Sequence, residues 1–106
     1  MASKFRNVKT IVDGVTYDSK KEMRRHLALA LAEQAGVISN LRRQVKYELH
    51  ALGGLKVCTY IADHVYEQDG LTVVEDTKSP VTAKNPVYRL KKRWMKAEHG
   101  IEIREW

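Results

Sequence analysis

The chain has 106 residues, of which 43% are apolar on a broad count, enough for one modest core and no second domain. Nineteen Lys and Arg against thirteen Asp and Glu leave a net charge of +6, which favours a polyanionic partner over a purely structural role. The longest uncharged apolar stretch, Leu27 to Ala32, is far below the roughly 20 residues of a membrane span, and a single cysteine, Cys58, excludes a disulfide framework or multi-cysteine zinc site. The expectation is a soluble, cytoplasmic protein.

Residues 1–10 carry Lys4, Arg6 and Lys9 and read as a basic, flexible arm, and Ile11 to Tyr17 surround an Asp13-Gly14 pair that suits a small hairpin. Ser19-Lys20-Lys21-Glu22 has the spacing of a capping box, so a helix is predicted from about Lys20 to Ala35, with Met23, Leu27, Ala30 and Leu31 as its core stripe and Gly36 as its stop. Gln44 to Leu49 alternates with period two and predicts a strand. Lys56 to Tyr66 and Leu71 to Thr77 predict two more, joined through Asp69-Gly70. Asn85-Pro86 is a cap followed by proline at the first helical position, with Val87, Leu90, Trp94 and Ala97 as the apolar stripe up to Gly100. Ile101 to Trp106 alternates again as a final strand. The order helix, three strands, helix, strand predicts an α/β fold with helices against a mixed central sheet.

A two-residue Asp69-Gly70 turn also fixes the register of its strands. Gln68 then faces Leu71, Tyr66 faces Val73, Val65 faces Val74, His64 faces Glu75, and Asp63 faces Asp76. Directly opposed like charges, with Cβ atoms about 4.5–5.5 Å apart, destabilise a sheet unless something between them compensates. A divalent cation does so and keeps positions open for water and phosphate. Lys78, two residues beyond Asp76, shares its face, whereas Glu75 and His64 point to the other side, where they form a weaker acid/base or second-metal candidate. A turn longer by one residue would separate the two aspartates and leave an ordinary acidic hairpin. His26, His50 and His99 lack metal-ligand spacing, and Cys58 has no evident activating partner.

Basic residues cluster twice. Arg89, Lys91, Lys92, Arg93 and Lys96 form an acid-free run on the second helix, and Lys20, Lys21, Arg24 and Arg25 crowd the start of the first; both suit phosphate contact.

Asp63 followed by Asp76-Thr77-Lys78, with Glu22 on a preceding helix, resembles the PD-(D/E)XK nuclease superfamily. The segments Tyr17-Asp18-Ser19-Lys20-Lys21-Glu22, Tyr60-Ile61-Ala62-Asp63 and Val74-Glu75-Asp76-Thr77-Lys78 are similar to a small phage-type branch that includes Holliday-junction resolvases and phage endonuclease I. Ala62 stands where the eponymous proline would be, and the third acid is aspartate where glutamate is common. The resemblance spans about residues 10–106 and implies a restriction-endonuclease-like core, with residues 1–106 forming one nuclease domain that begins with the basic arm. It implies a metal-dependent DNA endonuclease acting on branched or structured DNA in phage or bacterial recombination, working as a homodimer. Asp63, Asp76, Thr77 through its carbonyl, and Glu22 would hold Mg²⁺ or Mn²⁺, Lys78 would orient water or stabilise phosphorane charge, and Gln44 would line the site. The alternatives are a non-catalytic basic DNA-binding module on the same fold, or a nuclease subunit of a larger complex.

Overall fold

The computed structural model describes residues 9–12, 15–17 and 19–106. The basic arm up to Val8, the Asp13-Gly14 turn and Asp18 lie outside the described residues. Strands β1 (Thr10–Val12) and β2 (Val15–Tyr17) pair antiparallel as the expected small hairpin. They lead into helix α1 (Lys20–Gln34), capped by Ser19, whose Oγ accepts the Glu22 amide at 3.1 Å. Next come β3 (Ser39–His50), β4 (Lys56–Gln68) and β5 (Leu71–Asp76), a single turn α2 (Pro80–Ala83), helix α3 (Pro86–His99) and the short strand β6 (Arg104–Glu105). The main sheet has the order β3-β4-β5-β6, antiparallel except for the parallel β5–β6 pair, so the fold is α/β with a mixed four-stranded sheet. No helix among the described residues is long and apolar enough to cross a membrane.

The β4–β5 register matches the turn argument from Gln68↔Leu71 to His64↔Glu75. Asp69 and Gly70, with φ of 52° and 77°, supply the two positive φ angles that a tight turn of matching twist needs. Neighbouring residues on these strands feed opposite faces. Val65 and Val74 join Leu49, Tyr60, Ala62, Tyr88, Met95 and Ile103 in a core under α3, while Tyr66 and Val73 pack with Leu29 and Ile38 under α1.

Several expectations are corrected. Helix α1 does not bury Met23, Leu27, Ala30 and Leu31: Glu22 and Leu29 are buried, and Leu31 is 67% exposed. The run Leu27 to Ala32 is apolar all round, so its periodicity leaves the inward face undecided, and polar contacts from Glu22, Arg25 and His26 turn that side to the sheet. Likewise α3 buries Tyr88 and Met95, while Val87 and Leu90 are 61% and 56% exposed. Strand β6 is two residues long rather than six, because Ile103 turns into the core and only Arg104 and Glu105 pair with β5. Strands β3 and β4 run further than predicted, and α2, built on the Ser79 cap and Pro80, was not anticipated.

Candidate functional site

A change of face within the sheet brings the candidate residues together. On β4, Ala62 lies in the core under α3, yet His64, two residues on, meets His26 of α1. On β3, Val45 packs toward α3, whereas Arg43 reaches Glu22 of α1 and Leu41 joins the core beneath that helix. The register runs unbroken from Val45↔Ala62 to Arg43↔His64, so both strands exchange faces at the intervening pair, Gln44 opposite Asp63. Gln44 takes φ of 53°, a left-handed conformation that costs a residue with a side chain about 1 kcal/mol or more and persists only where its surroundings enforce it. Simple alternation along β3 does not anticipate this.

Asp63 and Asp76 are then locked together through their backbones. The Asp63 amide donates to Asp76 Oδ1 at 3.2 Å, and the Thr77 amide donates to Asp63 Oδ2 at 2.9 Å. Asp76 is buried, its Oδ2 accepts the Tyr60 hydroxyl, and Lys78 Nζ stands 3.6 Å from the same oxygen. Burial, reinforced by the negative charge of Asp63, pushes the Asp76 carboxyl up to about 7, against the opposing pull of Tyr60 and Lys78. Lys78 also lies 4.3 Å from the centre of the Tyr88 ring, which holds its ammonium beside the aspartates.

Glu22, on the first turn of α1, accepts Gln44 Nε2 at 3.0 Å and Arg43 Nη2 at 3.4 Å, so its carboxylate faces the sheet. Gln44 Nε2 is also 3.4 Å from Asp63 Oδ1, making Gln44 the link between the helical acid and the strand acid. Arg43 in turn lies 4.3 Å from the centre of the Tyr17 ring. A cavity of about 170 Å³ opens over this group, lined by Lys21, Glu22, Asp63, Thr77 and Lys78 with hydroxyls from Ser19, Ser79 and Thr82. Thr77 Oγ1 is buried without a hydrogen-bond partner among the described residues. Lys21 Nζ donates to the Lys78 carbonyl at 2.8 Å, tying the start of α1 to the chain just after β5.

Glu22, Gln44, Asp63, Asp76, Thr77 and Lys78, all singled out from the sequence, are therefore brought together. Tyr60 and Arg43 were missed. Tyr60 enters through Asp76: it lies in the core under α3 and its hydroxyl reaches the Asp76 carboxylate from the neighbouring strand, a cross-strand contact that spacing along one strand does not give. The donor set is oxygen-rich and fits a hard cation as a two-carboxylate site, Asp63 and Asp76, with Glu22 behind Gln44. Among the described residues, no group of three or more His, Cys, Asp or Glu converges to hold a metal ion.

Glu75 is separate from this site. Its carboxylate is fully buried, forked by Arg25 at 2.6 and 2.7 Å and bonded by the Tyr66 hydroxyl at 2.8 Å. His64 is also fully buried, and its Nε2 is 3.1 Å from His26 Nδ1. Burial and the neighbouring His26 press the His64 value down to about 4, so the ring is neutral at pH 7. Arg25, grouped by sequence with phosphate-binding residues, is thus committed to a carboxylate, whereas Lys20 and Arg24 are exposed.

The basic run on α3 is also partly neutralised. Lys92 pairs with Glu105 at 2.9 Å, Lys96 with Glu102 at 3.3 Å, and Lys91 donates to the Thr59 carbonyl at 3.0 Å. The acids come from the last segment of the chain, out of view of helical i to i+4 reasoning. Arg89 and Arg93 are exposed and, with Lys92 and Lys96, line a second hollow of about 400 Å³. If this face meets DNA, Arg89→Gln with Arg93→Gln should flatten the salt dependence of binding by about 0.9 per lost phosphate contact. A titration across ionic strengths checks this, and an unaltered slope places the DNA elsewhere.

The chain belongs to a family described as proteins of unknown function (DUF1064), whose model matches residues 2–104. No curated protein and no solved structure matches it significantly.

Proposed function

We propose that the protein is a metal-dependent DNA endonuclease of the PD-(D/E)XK type that hydrolyses phosphodiester bonds in branched or structured DNA. The observation that carries this reading is the convergence of Glu22 from α1, Asp63 from β4 and Lys78 from the turn after β5 on one cavity that Lys21 also lines, with the buried Asp76 of β5 directly behind Asp63 and Lys78. Asp63 and Asp76, with the Thr77 carbonyl, are the residues that would hold Mg²⁺ or Mn²⁺. Bound there, the cation would act as a Lewis acid and lower the pKa of a coordinated water.

The chain's own groups do the rest. Tyr60 fixes the rotamer of Asp76, and Gln44 and Arg43 hold Glu22 at the edge of the site. Lys78, beside Asp76 and at the cavity wall, is placed to meet a phosphate oxygen and offset the charge that develops on it. Lys21 and the hydroxyl of Ser79 offer donors for neighbouring phosphate oxygens, while the Thr82 hydroxyl donates to the Ser79 carbonyl. A four-way junction requires two symmetric cuts, which a two-fold dimer of this chain would supply.

The reading is tested by incubating the protein with linear duplex, single-stranded and four-way-junction DNA in Mg²⁺, Mn²⁺ or EDTA. Products are expected with metal and none with EDTA; no cleavage of any substrate in either metal overturns it. Lys78→Ala should lower turnover by about 10²-fold or more, the scale of losing one transition-state stabiliser, with DNA affinity little changed. The lack of a three-ligand cluster among the described residues favours one other reading, a non-catalytic DNA-binding module on this fold. That module would bind DNA equally in EDTA and Mg²⁺ and yield no products.

A further inference from the structure

Residue Trp106 lies directly against the candidate site. Its amide donates to the Asp76 carbonyl at 2.9 Å, and its carbonyl accepts the Lys78 amide at 3.1 Å, so its backbone runs alongside Asp76-Thr77-Lys78. Neither hydrophobic core includes its indole, which is 44% exposed. Two cations from α1 flank the ring: the Arg25 guanidinium at 4.8 Å and the Lys21 ammonium at 5.5 Å from its centre. Lys21 also lines the cavity with Glu22 and Asp63, so one residue joins the indole to the position proposed for the phosphate.

An indole kept half in water beside a phosphate-sized cavity has the composition of a base-stacking platform: a π face for the base and, from Lys21, positive charge for the backbone that carries it, while Arg25 is neutralised by Glu75 and only supports the ring. In an intact duplex both faces of each base are already stacked on neighbours, so such a platform serves nucleotides that are unpaired. We infer that Trp106 stacks on an unpaired nucleobase adjacent to the phosphate held in the cavity, which makes the site selective for single-stranded or branched DNA. This rests on the nuclease reading for its phosphate, and it adds the feature of the substrate that the site recognises. The cations have a second role in the same contact, because both hold the ring in place while 44% of the residue stays exposed.

The test needs no cleavage and is run in EDTA. Trp94→Phe leaves Trp106 as the sole tryptophan of the two in the chain. Its emission is expected to be quenched by a thymidine octanucleotide and unaffected by a blunt duplex of equal phosphate content. In the otherwise unaltered chain, Trp106→Ala should weaken octanucleotide binding by about 5- to 100-fold, with duplex affinity changed by less than about twofold, and Trp106→Phe should recover most of the loss. Binding of both probes with unchanged Trp106 emission, or equal losses on both in the alanine variant, overturns the platform and leaves the nuclease reading standing. Failure of both probes to bind overturns the nucleic-acid reading and the platform together.

Discussion

Asp76→Asn is expected to make the protein more stable at pH 8 while abolishing metal-dependent cleavage. The Asp76 carboxyl is almost wholly buried, and burial with the adjacent Asp63 charge raises it to about 7. A carboxyl that holds its proton more tightly folded than unfolded favours the folded state in acid, and that contribution is lost as pH rises from about 4 to about 7. Above this window a buried carboxylate opposes folding. Asparagine removes the charge and keeps the contacts: its oxygen can accept the Asp63 amide, and the Tyr60 hydroxyl can turn to accept from its NH₂. The variant should gain about 2–4 kcal/mol at pH 8 and almost nothing at pH 4, measured by urea unfolding at both. Mg²⁺ should raise the stability of the natural chain toward that of the variant and leave the variant unmoved, because only a ligand that binds the folded state stabilises it. A variant less stable at pH 8 would mean that the two aspartates do not repel, and the case for a cation between them would fall.

The turn that brings these aspartates close was legible in the sequence because its cause is local. Asp69-Gly70 accepts two positive φ angles, and a two-residue turn allows one register, which holds as far as His64↔Glu75. The caps were legible for the same reason: Asn85 accepts the amides of Val87 and Tyr88, and Gly100 closes α3 in the left-handed region. Helix orientation was not, since it is decided by partners far along the chain. Val87 and Leu90 look like a core stripe, but Tyr88 is drawn inward by Glu105 at 2.7 Å and by the core under α3. The face exchange at Gln44 and Asp63 was hidden because the alternation of Val45, Tyr47 and Leu49 is regular right up to the residue where it stops. Asp63, Asp76 and Lys78 could therefore be read from spacing and Glu22, Thr77 and Gln44 from the family resemblance, but the Tyr60, Arg43 and Gln44 contacts that position the site could be read from neither.

Arg25→Ala is expected to be the most destabilising single change on α1. Burial alone would raise the Glu75 carboxyl, yet the forked hydrogen bonds of Arg25 and the Tyr66 hydroxyl hold it below the usual carboxylate range. The pair thus contributes stability above the ordinary carboxyl pKa, and that contribution is lost as pH falls through the depressed value. Removing the guanidinium strands a fully buried carboxylate bonded by the Tyr66 hydroxyl, a loss of about 3–5 kcal/mol from a total on the order of 5–15. Urea unfolding at pH 7 measures it, and a cost below about 1 kcal/mol would show that Glu75 is relieved by other means. Pairing Arg25→Met with Glu75→Leu should recover most of the stability, since apolar replacement of both partners removes the desolvation penalty along with the attraction. The double variant also decides between the two roles available to Arg25. As a phosphate contact it would carry about 0.9 of the salt slope for duplex binding, and the double variant would lose that share. As the clamp seen here, between Glu75 on β5 and the ring of Trp106, it would fix the angle of α1 against the sheet beside the proposed site. The slope should then stay the same while turnover falls, because the apolar pair restores the packing of α1 without fixing the angle at which its first turn meets the site.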